Sequence, residues 1–254
     1  MTRGVALGFS GGVDSTLVLR VAAEVLKDSV IAITARSDTT PLGEHADAVT
    51  FARQIGVRHI LVETHEMRIP EFVQNSQDRC YVCKKYRYEA LMTIAAQHGF
   101  FVIADGENAD DGKDYRPGSL AARELGVRSP LSEAGLTKDS IRALSKALGL
   151  YTWNKPTLAC LASRIPYFSP ITPEKLRQID AAEAFIRGMG NTGQVRVRHF
   201  GDTARIEIDV AAMTRLMETG IREQVISFLK QLGFVHVLLD LQGYRMGSLN
   251  PGRR

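Results

Sequence analysis

Two rhythms alternate through the first part of the chain. Short apolar runs fall within Val5 to Phe9, Val30 to Ile33, His59 to Glu63 and Phe100 to Ala104. Their length and β-branched content predict strands buried on both faces, as in a parallel sheet. Between them apolar residues return every three or four positions: Leu17, Val18, Val21, Ala22, Val25 and Leu26, then Ala48, Val49, Ala52 and Ile55. This spacing predicts helices, with further ones from about Lys84 to Gln97 and over Thr137 to Leu148. The resulting fold class is α/β, a doubly wound parallel sheet, in which ligands sit outside the carboxyl ends of the strands. Ser10, the segment Ala35 to Asp38 with Arg36, and Asp105-Gly106 all fall at such ends.

The rhythm then breaks. Thr152 to Pro170 is irregular and carries Pro156, Pro166 and Pro170, so a boundary is placed there, with domains over 1–165 and 166–254. The second begins with Thr172-Pro173-Glu174, an N-cap followed by proline at the first helical position, and its helix lines up Leu176, Ile179, Ala182 and Ile186. Gln194 to Phe200 and Ala204 to Val210 flank Gly201-Asp202 as a hairpin, and a helix over 221–232 leads to a strand over Phe234 to Leu241. That is a small α+β domain. Glu183 lies on the apolar stripe of its helix, where a carboxylate must be paired or functional.

At 254 residues and 44% hydrophobic content the chain can bury a substantial core. It has no run of about 18 apolar residues and no leader-like start, so a soluble, cytoplasmic protein is expected. A net charge of +4 suits either nucleic acid or small phosphorylated, carboxylated substrates and does not choose between them. The three cysteines, Cys80, Cys83 and Cys160, are too few and odd in number for a disulfide framework.

The first strand breaks into Ser10-Gly11-Gly12-Val13-Asp14-Ser15-Thr16. Two glycines let the backbone approach a phosphate, the hydroxyls of Ser10, Ser15 and Thr16 can donate to its oxygens, and the following helix offers N–H groups and its positive end. No lysine follows the glycines, so a Walker A loop is excluded. The pattern is that of an ATP pyrophosphatase loop, which implies cleavage between the α- and β-phosphates and an adenylated substrate.

Cys80-Tyr81-Val82-Cys83 is expected just ahead of the helix at Lys84, beside Arg79, Lys84 and Lys85, an environment that favours thiolates. With Cys160 as third ligand the set suits a [4Fe-4S] cluster with one iron open. A redox or persulfide pair, a zinc site completed by His59, His65, His98, His199 or His236, and three unrelated buried cysteines are the other readings. Arg196 and Arg198, two apart on a strand, point one way and can clamp a phosphate, or else form a solvated strand face.

The pyrophosphatase loop, Asp105-Gly106, Asp114-Tyr115-Arg116-Pro117-Gly118, Trp153-Asn154-Lys155, Ser163-Arg164-Ile165-Pro166-Tyr167 and Arg196-Val197-Arg198 together resemble the LarE family, in order and over nearly the whole chain. The loop is shared by many families; the D-Y-R-P-G and S-R-x-P-Y segments are far more specific. The resemblance implies an ATP-dependent sulfur transferase that adenylates the carboxylates of pyridinium-3,5-biscarboxylic acid mononucleotide and turns them into thiocarboxylates for the nickel-pincer nucleotide. One type sacrifices its own cysteine, whose place, counted back from Ser163-Arg164, falls on Ala159 rather than Cys160. The other carries three cysteines and resembles cluster-dependent transfer-RNA thiolases, with sulfide on the open iron. This chain resembles the second.

Mg²⁺-ATP is then expected on the 10–15 loop, with Asp14 or Asp105 in the metal shell, Lys84 or Lys85 facing phosphates, and Asp114, Arg116, Arg164, Arg196 and Arg198 on the substrate. Cys80, Cys83, Cys160 and Glu183 are the catalytic candidates. The resemblance also implies a homo-oligomer. A transfer-RNA thiolase is the rival, against which stands the lack of a zinc ribbon or basic-aromatic module. An amide synthetase leaves the cysteines without a use, and an ATP sensor would release no pyrophosphate.

Overall fold

The structure is a computed structural model and describes residues 4–111, 117–156, 159–190 and 192–250. Asp114 and Arg116 lie outside the described residues. Two compact units form: one from the residues through Phe72 together with Gln77 onward to the end of the loop near 158, the other from Val73–Ser76 with Ala159 to the C-terminal end.

In the first unit, β1 (Val5–Gly8), β2 (Val30–Arg36), β3 (Arg58–Glu63) and β4 (Val102–Ala104) make a parallel sheet in the order β3-β2-β1-β4. The helices are α1 (Val13–Leu26), α2 (Glu44–Ile55), the short α3 (Pro70–Val73), α4 (Arg79–Gln97), α5 (Pro117–Glu124), the short α6 (Pro130–Glu133) and α7 (Lys138–Ala147). Strand alternation sorts the core into two layers. Ala6, Ile31, Ile33 and Ile103 pack with Tyr88, Leu91 and Ala95 of α4, while Leu7, Val30, Ala32 and Ala104 pack with Leu17, Ala48, Ala52 and Ile141 of α1, α2 and α7. Each fully buried Leu or Ile contributes about 1.5–3 kcal/mol relative to exposure. The strand order reverses between β1 and β4, so the loop after β1 opens at the switch point where such sheets bind ligands.

In the second unit, α8 (Pro173–Gly188) starts as the sequence predicts, with the Thr172 hydroxyl accepting from Lys175 N at 3.3 Å and Pro173 next. The short α9 (Met213–Leu216) and α10 (Thr219–Gln231) complete its helices. Strands β5 (Arg196–Phe200) and β6 (Thr203–Glu207) form the expected hairpin, and β7 (His236–Leu239) pairs parallel to β6. Ala182, Ile186, Val197, Ile206, Val225, Leu229 and Phe234 fill the core. The segment Val73–Ser76 belongs with this unit. Asn75, fully buried at φ +59°, donates from Nδ2 to the carbonyls of Pro166 and Ser169, both at 2.8 Å.

One element is corrected. Helix α4 begins at Arg79, not Lys84, so Cys80 and Cys83 stand within its first two turns rather than ahead of it. Asp78 caps it, and Val82 N donates to the Asp78 carbonyl at 3.0 Å. The i,i+3 spacing sets both thiols on one helix face.

Candidate active site

The loop after β1 is built for an anion. Gly11 has φ +69°, and a Cβ there would lie 3.0 Å from the Ala48 Cα, so only glycine permits this approach to α2. Ser10 Oγ and Ser15 Oγ are 3.1 Å apart, Gly12 N donates to Ser10 Oγ at 3.3 Å, and Ser15 Oγ donates to the Gly12 carbonyl at 3.3 Å. These hydroxyls sit over the N-terminus of α1, with its unpaired N–H groups. Thr16 differs from its neighbours. It is buried, its hydroxyl has no partner among the described residues, and it lines a cavity of about 180 Å³ with Phe51, Ile55, Leu150 and Thr152.

Asp105 and Gly106 follow β4 and close on the loop. A Cβ on Gly106 would lie 2.7 Å from Ser15 N. Asp105 is buried and accepts from Tyr88 Oη at 2.6 Å, Ser129 Oγ at 2.8 Å and Glu107 N at 3.0 Å. Burial, then the Asp105 charge, push the Tyr88 phenol well above its ordinary pKa, so it stays a donor.

Lys84, from α4, lies 3.5 Å from Asp105 and 3.4 Å from Glu107, so its ammonium is held by carboxylates at this edge. Lys85 is exposed, with its ammonium 5.9 Å from the Tyr81 ring centroid. Arg36 pairs with Glu63 at 3.2 Å, both well exposed.

Two lysines complete the loop's surroundings: Lys155, from the Trp153-Asn154-Lys155 motif, to which the sequence assigns no role, and Lys138, which no motif contains. Lys155 donates to the Gly11 carbonyl at 3.3 Å and to Asp47 at 2.8 Å. Lys138 pairs with Asp14 Oδ2. Asp14 Oδ1 is buried without a partner among the described residues, an oxygen placed to meet a hard cation such as Mg²⁺. Lys138, 124 residues from Asp14, gives no signal of such a role in the sequence.

The thiols divide between the units. Cys80 is exposed and Cys83 half-buried in the first; Cys160 is exposed in the second. Among the described residues no three His, Cys, Asp or Glu side chains are grouped as metal ligands.

In the second unit a carboxylate organises the arginines. Glu183 is fully buried and accepts from Arg164 Nε at 2.8 Å and Nη2 at 2.9 Å, from Arg187 Nη1 at 3.1 Å and from Val197 N at 3.0 Å. Burial alone would raise its pKa, but the hydrogen bonds and charge of Arg164 outweigh it and hold the carboxyl below the usual range. Arg164, also fully buried, donates from Nη1 to the carbonyls of Ala159 at 2.7 Å and Cys160 at 3.0 Å. Glu183 therefore acts on the cysteine segment through Arg164.

Arg196 and Arg198 are buried, so the solvated-face alternative is overturned. Arg198 donates to Glu207 Oε2 from Nε at 3.0 Å and from Nη2 at 2.8 Å, and Nη1 donates to the Ser163 carbonyl. Arg196 lies 5.2 Å from the Tyr244 ring centroid; burial, then the Arg164 charge, lower its pKa to about 10. A guanidinium so destabilised favours an anion nearby.

A parallel sheet whose first strand feeds an S-G-G-x-D-S loop at its switch point defines the class: an ATP pyrophosphatase, using ATP and Mg²⁺. The NAD synthase family profile matches residues 1–115. The chain is 42% identical over 244 residues to an uncharacterized protein of Synechocystis, covering 96% of this chain and 91% of that one. It is 38% identical over 247 residues to a pyridinium-3,5-bisthiocarboxylic acid mononucleotide synthase of Lactiplantibacillus plantarum, covering 97% of this chain and 88% of that protein. A third relative, an uncharacterized protein of Methanocaldococcus jannaschii, is 29% identical over 95% of this chain and 90% of its own length. The chain belongs to the LarE family of ATP-dependent sulfur transferases. No helix among the described residues is long and apolar enough to cross a membrane.

Proposed function

We propose that this protein adenylates the carboxylates of pyridinium-3,5-biscarboxylic acid mononucleotide with ATP and converts them into thiocarboxylates. One observation carries the reading: the similarity to the pyridinium-3,5-bisthiocarboxylic acid mononucleotide synthase spans 97% of the chain, so it takes in both the nucleotide loop and the arginine cluster.

The 10–15 loop and the N-terminus of α1 bind the β- and γ-phosphates, and Asp14 Oδ1 supplies an oxygen to the magnesium ion. Lys138 and Lys155 neutralise charge as pyrophosphate departs. Asp105 orients Tyr88 and Ser129 beside the loop. In the second unit Arg196 and Arg198 face the substrate phosphate, and Glu183 holds Arg164, which fixes the backbone at Cys160. Asp114 and Arg116 contribute to the substrate from the D-Y-R-P-G segment.

Cys80, Cys83 and Cys160 are the ligands of a [4Fe-4S] cluster in this reading; what supports it is an all-thiolate donor set with two members on one helix face. When bound, the cluster supplies a site for exogenous sulfide, the group that replaces AMP on the activated carboxyl. The same reading has the enzyme act as a homo-oligomer in the cytoplasm on a small mononucleotide, without nucleic acid.

The exposure of Cys160 favours a second reading, in which its own sulfur is consumed. Anaerobically purified protein decides between them. The cluster reading expects about four irons and matching sulfide per chain, pyrophosphate release dependent on the pyridinium substrate, and more than one thio-product per chain with added sulfide. A strict single turnover that leaves the chain lighter by H₂S at position 160 refutes it in favour of the second.

A further inference from the structure

A second polar cluster of the first unit stands at the carboxyl edge of the sheet, beyond β2 and β3, and the roles above leave it without work. Glu66, 1% exposed, accepts from Ser37 Oγ at 2.7 Å on Oε2, and from Thr64 Oγ1 at 2.9 Å and Arg87 Nε on Oε1. Arg87 comes from α4, and its Nη2 donates to Thr39 Oγ1 at 2.7 Å. Thr39 is fully buried and its N donates to Ser37 Oγ at 3.2 Å. One buried carboxylate thus ties residues 37–39, which continue β2, to the helix that carries the thiols.

The electrostatics match the geometry. Burial pushes the Glu66 carboxyl up, but the Arg87 charge and the hydrogen bonds from Ser37 and Arg87 hold it below the usual range. From α2, His45 faces the same edge; burial, then Arg36 and Arg87, lower its pKa, and its Nδ1 is buried without a partner among the described residues. Because β2 lies parallel to and beside β1, residues 37–39 leave the sheet at the same carboxyl edge as the 10–12 loop, one strand away, the edge at which such sheets bind ligands. Cys83 precedes Arg87 by four residues, one turn away on the same face of α4.

We infer that Arg87, held by Glu66, is a positioning residue that sets residues 37–39 against the nucleotide and transmits nucleotide occupancy to Cys83. The inference rests on the nucleotide reading of the loop but not on which carboxylate is activated. An arginine fixed at Nε and reaching with Nη2 defines both distance and angle, which a lysine ammonium cannot reproduce.

The test is calorimetric binding of Mg²⁺-ATP to the full chain and to its Arg87→Lys and Thr39→Val variants, with the alkylation rate of Cys83, measured on the full chain freed of any iron by chelation, followed by peptide mass spectrometry with and without Mg²⁺-ATP. Thr39→Val keeps the Glu66–Arg87 pair and the local shape, so it reports even where Arg87→Lys fails to fold. The expected result is an ATP Kd raised about tenfold or more in the variants, the scale on which misplaced binding groups act, and a nucleotide-dependent change of Cys83 alkylation in the native chain that the variants lose. Native ATP affinity in a folded variant overturns the inference alone, as does alkylation of native Cys83 that ignores ATP. No ATP binding by the native chain overturns the nucleotide reading and this inference together.

Discussion

At the loop of the first unit the cations are lysines: Lys138 at the start of α7 and Lys84 in the second turn of α4 have side chains 29% and 32% exposed, each held to carboxylates by its single ammonium. In the second unit the cations are arginines within or beside a strand, and the Arg164–Glu183 pair is wholly shut from water. A flexible point charge can leave its carboxylate when a polyanion arrives, whereas a guanidinium bonded through two nitrogens keeps its geometry. The loop of the first unit thus holds charges that can be reassigned during a reaction. The second holds charges that fix a shape.

The sharpest way to break this contrast is Glu183→Ala. If Glu183 is scaffold, its loss leaves Arg164 buried and uncompensated, and the second unit loses about 3–5 kcal/mol of stability. Hydrogen exchange should locate the loss to α8, β5 and the 159–164 segment while Mg²⁺-ATP still binds the first unit.

Next in size is Gly106→Ala, whose Cβ would meet the backbone at Ser15. Pyrophosphate formation should fall by about a hundredfold, the consequence of displacing a reacting group by about 1 Å, with the second unit's exchange pattern unchanged. Equal disturbance of both units would erase the distinction.

The smallest effect is a pH dependence. His199, in contact with Gln178 at 2.9 Å and Phe234, has its pKa lowered from 6.5, by burial first and then by the Lys175 charge. Between the unfolded value of 6.5 and the lower folded value the unfolded chain binds more protons, so this contribution is present above 6.5 and is lost as pH falls through that window. Urea melts of the native chain and His199→Gln at pH 7.5 and 5.5 should show the shallower slope in the variant.

Much of this was legible in the sequence because the sheet obeys simple patterning: Val5, Ile31 and Ile103 sit in runs that no exposed strand would carry, and Gly11-Gly12 after β1 announces a close backbone approach. The start of α4 was not. Its first two turns carry Arg79, Lys84 and Lys85 around two cysteines, with no acidic residue inside the first turn and an N-cap, Asp78, whose side chain makes no capping bond, so the start is poorly marked. The arginines of β5 were left open by the strand pattern for a different reason. Alternation assigns charged strand residues to solvent, and nothing local reveals that Glu207 comes across the hairpin to Arg198 or that Glu183 of α8 takes the Val197 N–H between the two arginines. Glu66 gave no signal because its partners, Ser37 and Arg87, stand 29 and 21 residues away.

Asn75 gives the molecule's assembly an order. Its amide is donated to carbonyls some ninety positions later, and Ile171 N returns to the Val73 carbonyl at 2.9 Å. A fragment cut to begin at Ala159 would therefore emerge with the Pro166 and Ser169 carbonyls bare, even though most of its own residues are present. During synthesis the four residues of 73–76 are made early and lack these partners until the 165–171 stretch follows, so the later portion closes on a segment delivered some ninety residues ahead of it.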